Sequence, residues 1–384
     1  MRFAVDAHAI GRHLTGNEVY VRSLLKGFAG VDQESEFITY LSMQDAESWV
    51  PPQFPVRRIS VNPFVRLGCD FALKLRRDRP GLLHVQYTAP LSCPVPIVVS
   101  VHDVSFLEHP DYFPFYRSLQ LRMTVRRTIQ KATRILSGSE FSRDAIARAY
   151  NLDPERIAVV PNAAADCYHP VRREAALVQV AERFGLATPF ILAVGDLQPR
   201  KNHRGLIESF TSLIQSHPHL PHRLVLAGKE TWFAGRVYAA AGESGVGDRI
   251  RFLGFVSDDD LLHLYNACEL FCFPSYYEGF GLPVLEAMAC GAPVCCSNTS
   301  AVPEVADGAA LLFNPYNTDE ITRAMLDLIL LPELKVRMRR LGLQRATQFS
   351  WRKTAQETLA VYQSVAEQCV PARRATAAAP ISLR

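Results

Sequence analysis

No stretch of the chain approaches the roughly 18 consecutive apolar residues that a membrane-spanning helix requires. Nine cysteines are scattered without a Cys-x-x-Cys pair, so neither a zinc ribbon nor a disulfide framework is suggested. The Gly-x4-Gly-Lys-Ser/Thr phosphate loop and the Gly-x-Gly-x-x-Gly fingerprint are both missing, which disfavours P-loop and dinucleotide sites. No repeat of fixed period occurs. The opening "MRFAVDAHAI" reads as a buried strand and lacks the apolar core of a secretory signal. The expectation from these absences is a cytoplasmic protein without metal or redox cofactor.

What is present describes an ordinary globular chain. Its 384 residues are 48% hydrophobic and 21% charged, enough for two domains. The net charge of +4 is mild, but its distribution is uneven. Arg66, Lys74, Arg76, Arg77 and Arg79 form one basic run; Arg117, Arg122, Arg126, Arg127, Lys131 and Arg134 form another. Each reads either as a solvated helix face or as a surface for anionic lipid head groups. No nucleic-acid-binding module accompanies the charge.

Short apolar runs alternate with helical patterns along the whole chain. Expected strands lie at Phe3–Val5, Ile38–Leu41, Leu82–Val85, Ile97–Val101, Ile135–Ser137 and Ile157–Val160. A second series follows at Phe190–Val194, Leu224–Ala227, Ile250–Leu253, Leu270–Phe273, Val294–Cys296 and Ala310–Phe313. Their continuous apolar character suits parallel sheets covered on both faces. The pattern predicts an α/β protein of two doubly wound, Rossmann-like domains, joined within residues 161–176. Nearly every conspicuous polar cluster follows a strand, where open α/β sheets bind ligands.

Two segments carry chemistry. In "VGDLQPRKN" (194–202), Arg200 and Lys201 precede Asn202, a plausible helix N-cap; cations beside a helix start favour an anion. In "EGFGLPVLE" (278–286), Glu278 and Glu286 bracket a turn on Gly279 and Gly281, and Pro283 opens a helix. The carboxylates read as helix-end acids, as a glycosidase dyad, or as acceptors for sugar hydroxyls. Eight residues of pure helix would span about 12 Å against the roughly 5–9.5 Å of glycosidase carboxyl pairs, a distance the turn leaves open. A hydrolase, however, has no need of a phosphate-friendly turn between them. A nucleotide sugar fits better, with hydroxyls at both ends and a diphosphate in the middle.

Set in "FPSYYEGFGLPVLEAMACGAPVCCSNTSAVPEV", the E-x7-E spacing resembles the retaining GT-B glycosyltransferases of family four. "VHDVSFLEHPDYF" (101–113), "SGSEFSRDAI" (137–146), "LVLAGKE" (224–230) and "FLGFVSDDDLLHLYNACELFCFPS" (252–275) agree, in family order. The resemblance implies two domains facing across a cleft: an acceptor-side domain at 1–170 and a nucleotide-sugar domain at 171–350. A helix at 351–368 would return toward the first domain, and 369–384 would be a mobile tail. It further implies that Glu278 meets donor-sugar hydroxyls, with Gly279, Phe280 and Gly281 beside the hexose. Leu282 would offer its N–H to the diphosphate, and Glu286 would hold the ribose. Lys201 with Arg200 would neutralise the leaving group, beside Asn202, while Val256 would line the base pocket. Gly16 matches a glycine near the donor phosphate; His102, with Asp103, matches an acceptor-side histidine, and His13 is a further acceptor candidate.

The implied reaction is metal-independent transfer of a hexose, mannose from GDP-mannose being favoured, to a glycan or lipid-linked hydroxyl. The setting would be surface-polysaccharide assembly, with peripheral contact at the inner face of an anionic membrane. Two features depart from the family pattern: Asp196 stands where many relatives carry arginine, and Ala163 follows Asn162 where many have glycine. A non-catalytic nucleotide-sugar sensor and an oxidoreductase are the competing readings.

Overall fold

The computed structural model describes residues 1–12 and 15–377. The chain divides into two compact units, one of Met1–Asn162 with the chain from Trp351 onward, the other of Ala163–Ser350. The division falls ahead of residue 170 because the intervening segment packs into the second unit, with Tyr168 buried against Val180 and Tyr265.

The first unit is built on seven parallel strands: β1 (Arg2–Asp6), β2 (Glu36–Leu41), β3 (Val56–Arg58), β4 (Leu82–Gln86), β5 (Ile97–Ser100), β6 (Arg134–Ser137) and β7 (Ile157–Val159). They run in the order β3-β2-β1-β4-β5-β6-β7, with Val5 paired to Thr39 on one side and His84 on the other. Six of these strands follow the apolar runs of the sequence. The seventh, β3, is an addition: "VRR" has no apolar run, and only edge pairing to β2 makes it a strand. The helix Trp351–Ala377 belongs to this unit and lies so close to the helix Thr15–Val31 that a Cβ on Gly27 would sit 2.6 Å from the Trp351 carbonyl. It extends past residue 368, where the sequence reading begins a tail; alanine-rich "ARRATA" is a good helix former. Residues 378–384 lie outside the described residues.

The second unit has six parallel strands: β8 (Phe190–Val194), β9 (Arg223–Ala227), β10 (Ile250–Gly254), β11 (Leu270–Phe273), β12 (Val294–Ser297) and β13 (Leu311–Phe313). Their order is β10-β9-β8-β11-β12-β13. Alternate residues feed two cores. Phe190 and Leu192 pack with Val284 and Met288 on one face, while Ile191 and Ala193 pack with Leu206 and Phe210 on the other. That is why the strands read as unbroken apolar runs. The carboxyl ends of β8, β9, β11 and β12 are left to carry the polar loops.

Candidate active site

The loops after β8 and β9 lock together through glycine. A Cβ on Gly228 would lie 2.0 Å from the Gly195 carbonyl oxygen, so only glycine permits this approach. Gly195 N–H donates to Ala227 O, and Leu197 N–H to Lys229 O. Asp196, the residue standing in for the family arginine, accepts from the Lys229 N–H at 3.2 Å. The pinned loop then enters the short 3₁₀ turn Pro199–Lys201, and Asn202, at φ 52°, caps the helix His203–Ser216 by accepting from Gly205 N–H. Its amide nitrogen donates to Pro315 O at 2.8 Å. Asn202 thus holds the cationic turn in place.

Arg200, Lys201 and Glu278 converge. The Lys201 stem packs over Gly195 and its ammonium sits 4.9 Å from the Phe273 ring centroid. Nζ donates to Glu278 Oε1 at 2.6 Å, while Arg200 Nη1 donates to Oε2 at 2.8 Å and to the Tyr277 carbonyl at 3.1 Å. Burial alone would raise the Glu278 pKa, but the charges of Arg200 and Lys201 and the Lys201 hydrogen bond hold it down to about 2. Burial lowers the Lys201 pKa, and the Glu278 charge opposes that shift. Glu278 is therefore an ionised acceptor at neutral pH and no general acid. Two cations against one carboxylate leave a net positive charge in a low-dielectric pocket.

Glu286 has the opposite character. It lies in the helix Leu282–Ala289, whose N-cap Gly281 has φ 104°. The carboxyl is buried and accepts from the Tyr265 hydroxyl at 3.0 Å. Burial, helped by the charge of Asp258, pushes its pKa up to about 7 against the Tyr265 bond and the Lys201 charge. Between the two acids, Gly279 and Phe280 are buried, Phe280 edge-on to Phe349 at 5.9 Å, and Leu282 is half-buried. Val256 is buried behind the left-handed Gly254, just before the Ser257–Asp260 capping box.

Sequence reasoning missed the supports of this turn. Ser300, left-handed at φ 56°, accepts from the Glu278 N–H at 2.9 Å, and Thr299 Oγ1 donates to Tyr276 O at 3.0 Å. The polar "SNTS" that ends β12 and runs into the following loop was the available signal. Tyr265 carried none, being one aromatic within an apolar helix face.

In the first unit, His102 follows β5. Its Nε2 lies 2.9 Å from Gln86 Oε1, and its ring is edge-on to Tyr20 at 4.7 Å and to Tyr87 at 5.6 Å. Burial draws its pKa down to about 4, against the charge of Asp103, so the ring is neutral. Asp103 Oδ1 accepts from both the N–H and the hydroxyl of Ser105, opening the short helix Ser105–Glu108. Gly16 sits exposed in the first turn of its helix, and a Cβ there would meet nothing within 4 Å; packing does not require glycine. His13 lies outside the described residues. Among the described residues no three His, Cys, Asp or Glu side chains gather as a metal site needs.

The model of the glycosyl transferases group 1 matches residues 180–345, and that of glycosyltransferase family 4 matches residues 14–164. The chain is 34% identical over 267 residues to the O-antigen chain mannosyltransferase B of Escherichia coli, covering 69% of this chain and 70% of that one. It is 32% identical over 257 residues to the serotype-specific mannosyltransferase WbdA of Escherichia coli, covering 65% of this chain but only 30% of WbdA. Among solved structures, Anabaena Alr3699/HepE in complex with UDP and glucose superposes with a TM-score of 0.75 at 18% identity, over 95% of this chain and 100% of that one. Two parallel-sheet units, the E-x7-E turn on its paired cations and this kinship agree: the chain belongs to the family-4 GT-B glycosyltransferases.

Proposed function

We propose that the protein transfers a hexose, mannose from GDP-mannose, to a hydroxyl of a glycan or lipid-linked acceptor with retention of anomeric configuration, in surface-polysaccharide assembly. The observation that carries this is the Arg200–Lys201 pair sharing the ionised Glu278 at the carboxyl ends of β8 and β11. An ionised carboxylate offers about four lone-pair sites; the cations take two, leaving the rest for sugar hydroxyls. As the sugar–phosphate bond breaks, charge grows on the departing diphosphate, and Lys201 and Arg200 stabilise it where water is excluded. The Leu282 N–H at the helix start adds a dipole to the same task. Glu286 holds the ribose, and Val256 lines the base pocket. Glu278, ion-paired twice, is a poor covalent nucleophile, which fits departure and attack on one face of the sugar. No step requires a metal ion, so turnover should persist in chelator. His102 and Asp103 serve the acceptor side, and the Gly16 backbone approaches the donor phosphate.

The mannosyl reading is supported by relatives named as mannosyltransferases. A purified-protein screen of nucleotide sugars, scoring thermal stabilisation and donor hydrolysis, tests it; stabilisation by UDP-sugars and not GDP-mannose would overturn the donor. Proton spectra of the product decide retention.

The acceptor reading extends to an anionic membrane at the cytoplasmic face. The helix Phe115–Lys131 carries five cations and no acid, more charge than the whole chain nets. It also exposes Phe115 (74%), Tyr116 (83%) and Met123 (65%). Aromatic and apolar side chains beside cations suit a head-group boundary. No described helix is long and apolar enough to cross a membrane.

A further inference from the structure

The acceptor-side histidine is held by a glutamine that no motif marks. Gln86, buried at the end of β4, places its Nε2 3.0 Å from the Asn17 carbonyl and its Oε1 2.9 Å from His102 Nε2. A backbone carbonyl only accepts, so the amide nitrogen must face Asn17 and the amide oxygen must face the ring. That oxygen requires a proton on His102 Nε2. A neutral imidazole has a single N–H, so Nδ1 carries a lone pair. Nδ1 has no hydrogen-bond partner among the described residues. His102 as a residue is half-buried, whereas His203 and His222 are buried.

The ring has little freedom to escape this assignment. Tyr20 packs edge-on against it, and the Tyr20 hydroxyl meets Ser100 Oγ at 2.8 Å. Ser100 Oγ also meets His84 Nε2 at 2.8 Å, and His84 Nδ1 meets the Tyr362 hydroxyl at 2.5 Å. The terminal helix therefore braces the ring from behind, while Gln86 ties it to Asn17, the neighbour of Gly16.

We propose that Gln86 is a positioning residue: it fixes His102 as the Nε2–H tautomer, so that Nδ1 accepts a hydrogen bond from a substrate hydroxyl. The lone pair selects a ligand that donates, a sugar hydroxyl, and rejects a phosphate or carboxylate oxygen. The proposal rests on His102 belonging to the glycosyltransferase site, and adds the residue that sets its tautomer and the polarity of its partner.

Long-range ¹H–¹⁵N spectra of the full chain labelled in histidine test it, with His102 assigned by loss of its signals in His102→Asn. Wild type should show the Nε2–H form. Gln86→Met, which removes the oxygen, should give a mixture of tautomers. Gln86→Glu keeps an oxygen toward the ring and should restore the Nε2–H form. With GDP-mannose hydrolysis as readout, water takes the place of the acceptor hydroxyl and donates to Nδ1. In Gln86→Met, kcat should then fall about tenfold or more, as when a catalytic histidine loses its tautomer. KM should stay within about twofold, and Gln86→Glu should recover most of kcat. An Nδ1–H tautomer in wild type overturns the proposal, as does Gln86→Met with altered tautomer but unchanged kcat. If Gln86→Met does not fold, the wild-type and Gln86→Glu spectra decide. If wild type leaves GDP-mannose intact, the donor reading fails; the tautomer is still read from the same sample, and kcat from whichever donor the protein does hydrolyse.

Discussion

Glu286 shares its charge with a phenol, whereas Glu278 shares its charge with a guanidinium and an ammonium. If Glu286 holds the ribose as proposed, the hydroxyls donate to its ionised form, so binding should pull its pKa below about 7 and release a proton. The affinity for GDP should therefore rise as pH increases from 6 to 8, and calorimetry in buffers of different ionisation enthalpy should detect the released proton. Glu286→Gln should flatten this pH dependence; an unchanged slope would remove Glu286 from the ribose. Glu278 titrates the other way. Its pKa falls from 4.5 to about 2 on folding, so the stability it contributes is present above pH 4.5 and disappears as pH drops toward 2. Glu278→Ala leaves Arg200 and Lys201 facing each other in a buried site, and should destabilise by about 3–5 kcal/mol in urea unfolding. Lys201→Ala should lower turnover by roughly 100-fold or more, the scale of one lost stabiliser of developing charge; wild-type turnover would sink the diphosphate assignment.

At the scale of elements, two glycines separate structure from function. Gly228→Ala drives a methyl into the Gly195 carbonyl, which should separate the loops after β8 and β9, lowering both Tm and nucleotide affinity. Gly16→Ala meets open space in a helix, where alanine is the better former by up to about 1 kcal/mol. It should leave Tm unchanged or raised while transfer falls about tenfold, if the donor phosphate approaches Gly16 as proposed and the methyl stands in its way. A loss of Tm in Gly16→Ala with transfer intact would reverse that assignment. Elements were also where the sequence was easiest to read. Twelve of the thirteen strands follow apolar runs, since both faces of each sheet are covered. The exception, β3, is short, half-exposed and made by its neighbour. Arg66 shows the limit of reading charge runs as surface: it lies buried near Asp6, its Nε and Nη1 unpartnered.

For the whole molecule, the acceptor reading makes the Phe115–Lys131 helix a membrane-facing edge. Phe115→Ser with Tyr116→Ser should reduce sedimentation with vesicles rich in phosphatidylglycerol, and Arg122→Gln with Arg126→Gln should reduce it further. Each surface cation near such a membrane contributes about 1 kcal/mol. Arg127 is a weaker choice, because it donates to the carbonyls of Ala89, Pro90 and Leu91. Equal binding to neutral phosphatidylcholine vesicles would argue against the electrostatic part. The terminal helix matters at this scale as well. It closes onto the first unit through Gly27 and, through Tyr362, His84, Ser100 and Tyr20, reaches His102.

The amino-acid sequence by itself determined the two parallel sheets, because buried strands need unbroken apolar runs, and it determined the E-x7-E turn, because glycine, proline and paired acids have local chemistry. It also placed Arg200 and Lys201 at a helix start. Only the tertiary structure decided that Glu278 is the counter-charge of those two cations, since residues 77 and 78 positions apart meet through β8 and β11. The same holds for the raised pKa of Glu286 and for Gln86 behind His102. A pKa or a tautomer depends on which groups face a side chain across the fold, and sequence spacing carries no record of that.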